Sequence, residues 1–356
     1  MEFAEVGIVS FAFKDIPSNL INKVHLFEIK DSVYTRKNPF GAARYIIENA
    51  TGIKFWYYQL NAIINEFKPD VIHCHFGYMG VMAMKYGNRY KMNIPFVTSF
   101  YGFDISSLPQ NDKEYLQNLK ILWNRGTAFF AEGPMLAEKM TDLGCPKSKA
   151  LINPLLIPLD EYPPKQRYRN VGDSIKFLFV GRFVEKKGFH LFLKAIGAIG
   201  NKLPNYTVTV VGDGSMKKDY EQILLEHNLS DKISWIGMKS LAEIIEMMPQ
   251  FDFLVHPSLT AKDGDSEGGA PTILIEAQAI GLPIITSTHA DIPYVMGYHD
   301  FLAKENDIPS LCDTILQIAV EDNIEKIVQI GKPKVKLQHD LHESKIYETH
   351  LKSIIQ

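Results

Sequence analysis

Residues 267–283 read EGGAPTILIEAQAIGLP, and the amino end of this stretch decides how the rest is assembled. Pro271 suits the first position of a helix, where a missing N–H costs nothing, Gly281 suits a left-handed stop, and Pro283 prevents continuation. The pattern predicts a helix from Pro271 to Ile280 with Ala270 as its N-cap. Alanine has no side-chain oxygen, so the amides of Thr272 and Ile273 need another acceptor. Water can serve. Orphan amides at the positive end of a helix also form an anion site, and Gly268 and Gly269 let a ligand come close to the backbone. Glu276 lies one turn beyond Thr272 and leans back toward the amino end. A carboxylate there repels phosphate and suits neighbouring hydroxyls, such as those of a ribose.

The complementary charge comes from FLFVGRFVEKKGFHLF, where Gly181 and Arg182 follow a strand directly and Lys186, Lys187 and Gly188 precede a helix. Cations in such a turn can neutralise a diphosphate without a metal, although a solvated turn accounts for them equally well when they are taken alone. Short apolar runs recur on both sides. VGIVSFAF, KVHLFEI, DVIHCHF, PFVTSF and TAFFAE lie in the first half, and IKFLFV, YTVTVV, KISWIG, FDFLVHP and LPIITS in the second, with segments of helical period such as YYQLNAIINEF and EYLQNLKILW between strands. This rhythm predicts an α/β protein with parallel sheets covered by helices. Proline and charge crowd residues 158–174, which read as a linker. The expected division is an acceptor-binding lobe at 1–165 and a nucleotide-binding lobe at 166–334, facing each other across a cleft, with a helix in 335–356 crossing back to the first lobe.

Composition excludes several classes. The chain has 356 residues, 46% apolar and 22% charged, with a net charge of −3, which argues against a nucleic-acid partner. Its three cysteines, Cys74, Cys145 and Cys312, have no metal or disulfide spacing and suit a reducing cytoplasm. The start carries Glu2 and Glu5 rather than a basic leader, and no run of about 18 apolar residues occurs.

The ordered set GRFVEKKG, VVGDGS, WIGMKS, VHPS and EGGAPTILIEAQAIGLP resembles the donor lobe of glycosyltransferase family 4, retaining enzymes of GT-B architecture. DVIHCHFG, IPFVTSFYGFDIS and MLAEKMTDLGCPKSK resemble the acceptor lobe of members that build bacterial surface polysaccharides. The resemblance implies that Arg182 and Lys187 bind the donor diphosphate, Glu276 holds the ribose, and Glu267 lies near the donor sugar. Gly181, Gly268, Gly269, Thr272 and Ile273 then line the nucleotide, Ile236 within Trp235–Met238 lies near the base, and His75, Tyr101 and Asp104 face the acceptor. It implies retaining transfer of a hexose from a nucleoside diphosphate sugar to a glycan or lipid-linked glycan, with no metal or other cofactor. The leaving phosphate itself receives the acceptor's proton.

This chain departs from the family's pattern in three places. Eight residues rather than seven separate Glu267 from Glu276. Tyr101 stands where many members have histidine, and a phenol of pKa about 10 is no neutral-pH base. The third departure is at the start, where VGIVSFAF reads as the family's second strand, with the first strand and glycine loop expected to be missing. A catalytically silent nucleotide-binding partner of another transferase is therefore the alternative reading, with a sugar-nucleotide epimerase third. Asp263-Gly264-Asp265 has the DxD form of metal sites but reads first as a turn, and Gly212 and Gly214 read as a tight turn after a strand. His73 and His75 share a strand face without a third metal ligand nearby. FWYY at 55–58 reads as helix core on one side, and peripheral contact with the inner membrane face through it, Lys85, Arg89 and Lys91 is a further expectation.

Overall fold

The computed structural model describes residues 5–10, 24–29, 56–155, 157, 162–166, 168–170, 172–296, 299–319, 324–329, 331 and 346–355. Parts of the anticipated first strand, of the linker and of the 335–356 segment lie outside these. The described residues form two compact units, one reaching to Ile72 with Tyr86–Ile94, the other made of His73–Lys85 and the residues from Pro95 onward.

In the first unit, β1 (Gly7–Ser10) pairs in parallel with β2 (His25–Glu28), Gly7 opposite His25 and Ser10 opposite Glu28. The helix Trp56–Phe67 buries Trp56 and Tyr57 and leaves Tyr58 exposed, as a one-sided aromatic face requires. Tyr57 packs edge-on against Tyr86 at 5.5 Å, and the Tyr86 hydroxyl donates to Asn61 Oδ1 at 2.8 Å.

The second unit carries two sheets. The four-stranded one has the order β3 (Ile72–His75), β4 (Phe96–Ser99), β5 (Ala128–Ala131), β6 (Ala150–Ile152), with β4 to β6 parallel. β6 was not among the anticipated strands, because three residues give no period to read. The five-stranded sheet comprises β7 (Ile175–Val180), β8 (Tyr206–Val211), β9 (Ile233–Gly237), β10 (Phe253–His256) and β11 (Ile284–Thr286), ordered β11-β10-β7-β8-β9 and parallel throughout. β7, β10 and β11 are nearly unbroken apolar runs, as suits strands covered on both faces, while Thr207 and Thr209 interrupt β8; Phe177, Leu178, Val208, Val210, Leu254 and Ile284 are fully buried. The helix Phe189–Ile199 supplies Phe189, Phe192 and Ile196 to the same core.

Strand order reverses between β7 and β10, which places the GRFVEKKG turn beside the loop that follows β10, at the point where open α/β sheets bind ligands. The two loops touch at Gly188, where φ is +69° and a Cβ would fall 1.8 Å from the Pro257 carbonyl oxygen. Gly212 of VVGDGS is needed for packing of the same kind, since a Cβ there would lie 2.0 Å from the Gly181 oxygen.

Candidate functional site

The quoted stretch folds into the helix Thr272–Ile280, stopped by Gly281 at φ +85°. The N-cap is Pro271, not Ala270, with φ −55° and ψ 131°, so the extended ψ of proline, rather than its suitability for a first turn, sets the boundary. The consequence for the amides is unchanged. Leu274 N–H donates to the Pro271 carbonyl at 3.0 Å, while the Thr272 and Ile273 amides have no acceptor among the described residues. Glu276 is buried, and its one hydrogen-bond partner among the described residues is the Tyr162 hydroxyl at 3.5 Å. Burial pushes its carboxyl up, and that long hydrogen bond offsets only part of the rise.

Lys187 ends the short 3₁₀ turn Glu185–Lys187 and places Nζ 2.7 Å from Glu267 Oε1, with both side chains largely buried. Burial alone would raise the Glu267 carboxyl, but Lys187, with His256 and Lys186, outweighs it and holds the group below the usual range. Lys186 pairs with Asp265 Oδ1 at 3.0 Å and donates to the Ser266 carbonyl, so two adjacent lysines grip the loop that leads to Glu267. The Glu267 amide donates to His289 Nε2 at 3.1 Å. That nitrogen must therefore be unprotonated, and the ring's proton sits on Nδ1, 3.1 Å from Glu305 Oε2. His256, at the carboxyl end of β10, is fully buried, and burial with Lys187 nearby lowers its pKa to about 3. Its Nδ1 shares a hydrogen bond with Ser258 Oγ at 2.9 Å, while Nε2 has no partner among the described residues. Gly181 lies against this centre, with the Lys187 side chain 3.7 Å from where its Cβ would be. Arg182 is exposed and has no ionic partner among the described residues.

His75, Tyr101 and Asp104 lie close together. His75 Nδ1 and the Tyr101 hydroxyl are 2.5 Å apart, and the fully buried Asp104 carboxylate accepts from the amides of Gly77 at 2.6 Å and Tyr101 at 3.0 Å. The loop carrying them meets the Glu267 loop. A Cβ on Gly268 would lie 2.1 Å from the Tyr101 carbonyl carbon, and one on Gly269 would lie 2.6 Å from Glu132 Oε2. Close packing alone therefore calls for glycine at both positions. Asp291 reaches across to the helix Pro134–Asp142, its carboxylate accepting from the Met135 amide at 2.7 Å and the Leu136 amide at 3.2 Å, in the manner of an N-cap supplied from a distant segment.

Glu132 was not anticipated, although a carboxylate directly after a parallel strand is itself a signal. Burial, then Asp291, Asp104 and Glu267, push its carboxyl up to about 8. Between about 4.5 and about 8 the folded protein therefore holds a proton that the unfolded chain releases, so this group's contribution to stability falls as pH rises through that window. Glu132→Gln should raise the melting temperature at pH 8.5 and change it little at pH 4.5. A difference of equal size at both pH values would contradict this assignment.

The remaining expectations resolve individually. Trp235 packs into the core against Phe183 at 5.5 Å and Phe189 at 6.2 Å, and Ile236 is half-buried on the edge strand β9. Asp263, Gly264 and Asp265 form a turn in which the Asp265 amide donates to Asp263 Oδ1 and the Gly264 amide to the Ala261 carbonyl. His73 is occupied on both ring nitrogens, by Ser99 Oγ at 2.7 Å and by the hydroxyl of Tyr347 in the helix Ile346–Ile355. Among the described residues no cluster of three His, Cys, Asp or Glu could hold a metal, and no helix is long and apolar enough to cross a membrane.

Both parts of the sequence resemble known glycosyltransferases. Residues 164–332 match the family described as glycosyl transferases group 1, and residues 29–161 match glycosyltransferase family 4. The amylovoran biosynthesis glycosyltransferase AmsK of Erwinia amylovora is 28% identical over 282 residues, 78% of this chain and 68% of that protein. A protein of Escherichia coli strain K12 named as the colanic acid biosynthesis glycosyltransferase WcaL is 26% identical over 299 residues, 83% and 72% of the two chains. Among solved structures, Anabaena HepE in complex with UDP and glucose superposes with a TM-score of 0.73 at 16% identity, covering 97% of this chain and 91% of that one. Two parallel sheets of this topology and the two family matches, one to each part of the sequence, lead to one conclusion: the chain has the GT-B fold of glycosyltransferases.

Proposed function

We propose that this glycosyltransferase moves a hexose, with retention of anomeric configuration, from a nucleoside diphosphate sugar to a hydroxyl of a glycan or lipid-linked glycan in surface-polysaccharide synthesis. The observation that carries the reading is the 2.7 Å contact between Lys187 and Glu267, which brings the turn after β7 onto the loop just ahead of two free helix amides. In this reading Lys187, Arg182 and the Thr272 and Ile273 amides stabilise charge on the leaving diphosphate oxygen as the glycosidic bond breaks. Glu276 accepts from the ribose hydroxyls, and Glu267 orients the sugar. Gly181, Gly268, Gly269 and Ile236 line the nucleotide, and His75, Tyr101 and Asp104 serve the acceptor. The leaving phosphate takes the acceptor's proton on the same face, so no paired-carboxylate scheme and no metal is required. The names of the relatives support the polysaccharide, and the UDP and glucose of the Anabaena complex support the donor class. We divide the lobes near residue 165 and assign the enzyme to the cytoplasm, at the inner membrane face where a lipid-linked acceptor is reached.

A thermal-shift screen of UDP-glucose, UDP-galactose, UDP-N-acetylglucosamine and GDP-mannose tests the donor, since a ligand at 100 times its dissociation constant adds about 2.7 kcal/mol. The donor that binds should be turned over equally well with and without EDTA, and the product anomer, read by proton NMR, should match that of the donor. Absence of any nucleotide response would overturn the donor site. An inverted anomer or loss of turnover with EDTA would overturn the mechanism.

A further inference from the structure

Two aromatic side chains beside Tyr101, Phe76 and Tyr78, have no role in the reading above. The Phe76 and Tyr78 rings stack at 5.5 Å with planes 13° apart, and Phe76 also meets Tyr101 at 4.9 Å. Phe76 and Tyr78 are 37% and 41% exposed, so ring surface is open on both. Phe76 has φ +72°, a left-handed backbone that a bulky residue adopts at a cost, and that glycine would occupy freely. Strain held at an exposed ring is a mark of function rather than of packing.

The strain is enforced from beneath. The Phe76 amide donates to the Ser99 carbonyl at 2.8 Å, and the Gly77 amide to Asp104 Oδ2 at 2.6 Å. The same Asp104 carboxylate accepts from the Tyr101 amide, so one fully buried group fixes both segments that carry the rings. Tyr101 and Gly102 in turn press on Gly268, next to Glu267.

We infer that Phe76, Tyr78 and Tyr101 form a stacking platform for a hexopyranose of the acceptor, with Asp104 as its positioning residue. The reading rests on the donor site proposed above, since continuity with the Glu267 loop is what brings a stacked sugar within reach of the donor. The axial C–H bonds on one face of a pyranose carry partial positive charge and match the negative face of an aromatic ring. The polar rim suits a sugar and not an acyl chain: His75 and the Tyr101 hydroxyl lie at the platform's edge and can bond hydroxyls in the ring plane. The acceptor is thus identified by class as a saccharide that already presents a pyranose, rather than a bare lipid phosphate.

The test uses the full chain and saturation-transfer NMR with methyl α-D-glucopyranoside, methyl β-D-galactopyranoside and methyl α-D-mannopyranoside, beside UDP titration and flotation with phosphatidylglycerol vesicles. At least one pyranoside should bind the wild type, and Phe76→Gly should weaken it at least tenfold while UDP affinity stays within twofold. Because glycine relieves the left-handed φ, Phe76→Gly should melt at or above the wild-type temperature. That outcome separates a binding role from a packing one. Tyr78→Ala, on an exposed position, should weaken the same pyranoside and serves if the first variant folds poorly. Absence of pyranoside binding to wild type, equal binding by both variants, or loss in the variants of vesicle binding instead of sugar binding would each overturn the platform. Failure of UDP to bind would overturn the donor site alone.

Discussion

Lys187→Ala should lower turnover of the verified donor by about a hundredfold or more, the scale for losing one preorganised donor of positive charge to a leaving group. The structure adds a second effect. Lys187 is the nearest cation to the buried Glu267 carboxylate, and removing one partner of a buried pair costs roughly 3–5 kcal/mol because the other charge is left uncompensated. In the wild type, Glu267 is held below its ordinary range, so its contribution to stability is present above pH 4.5 and is lost as pH falls through the depressed value. In Lys187→Ala the same group, now raised by burial, should make the protein lose stability as pH increases above 4.5. Thermal unfolding at pH 5 and pH 8 reads this added fall, because the wild-type contribution of Glu267 is flat across that window. The double variant Lys187→Ala with Glu267→Gln should recover most of the stability and none of the turnover. Wild-type turnover in the single variant would sink the proposed role.

Glu276→Ala should weaken donor binding by about 10- to 100-fold, since a hydrogen bond to a charged group contributes roughly 1.5–3 kcal/mol and each 1.4 kcal/mol is a factor of ten. Stability should move the other way. Glu276 is buried with one 3.5 Å partner among the described residues and its carboxyl is raised, so its ionised form costs stability as pH rises through the raised value, a cost that a neutral residue avoids. Glu276→Gln avoids the cavity and should melt at least as high as wild type at pH 8 while losing donor affinity. Calorimetry with the donor and a melting curve on the same sample check both halves. Unchanged affinity would remove Glu276 from the site, and a large loss of stability in Glu276→Gln would reassign it to the fold.

Much of this arrangement was legible from residues alone, for reasons that differ from place to place. IKFLFV and FDFLVHP announced parallel strands because a sheet covered on both faces needs nearly unbroken apolar runs, while YTVTVV was legible from its β-branched residues although Thr207 and Thr209 interrupt the run. Gly281 and Pro283 fixed where the helix after Glu267 stops, through backbone chemistry that acts within a few residues. Its start was misplaced by one residue, since proline serves equally as cap or first residue and only ψ distinguishes them. The strand Ala150–Ile152 escaped notice because three residues are held there by a neighbouring strand rather than by their own pattern.

Sequence by itself determined the local pieces: which runs become strands, where the key helix ends, that its first amides lack a side-chain acceptor, and that cations follow the first strand of the second sheet. Each depends on φ, ψ, side-chain shape or hydrophobic period, which a residue and its near neighbours settle. Tertiary structure decided the rest. It set Lys187 against Glu267, brought Asp291 to the amides of Met135 and Leu136, buried Glu132 beside other carboxylates so that it rises to about 8, and put the Tyr101 backbone against Gly268. These contacts join segments far apart in the chain, and their energies depend on distance and burial in a packed interior. No local pattern encodes either quantity, because both exist only once the strand order has reversed between β7 and β10 and the loops at that edge have met.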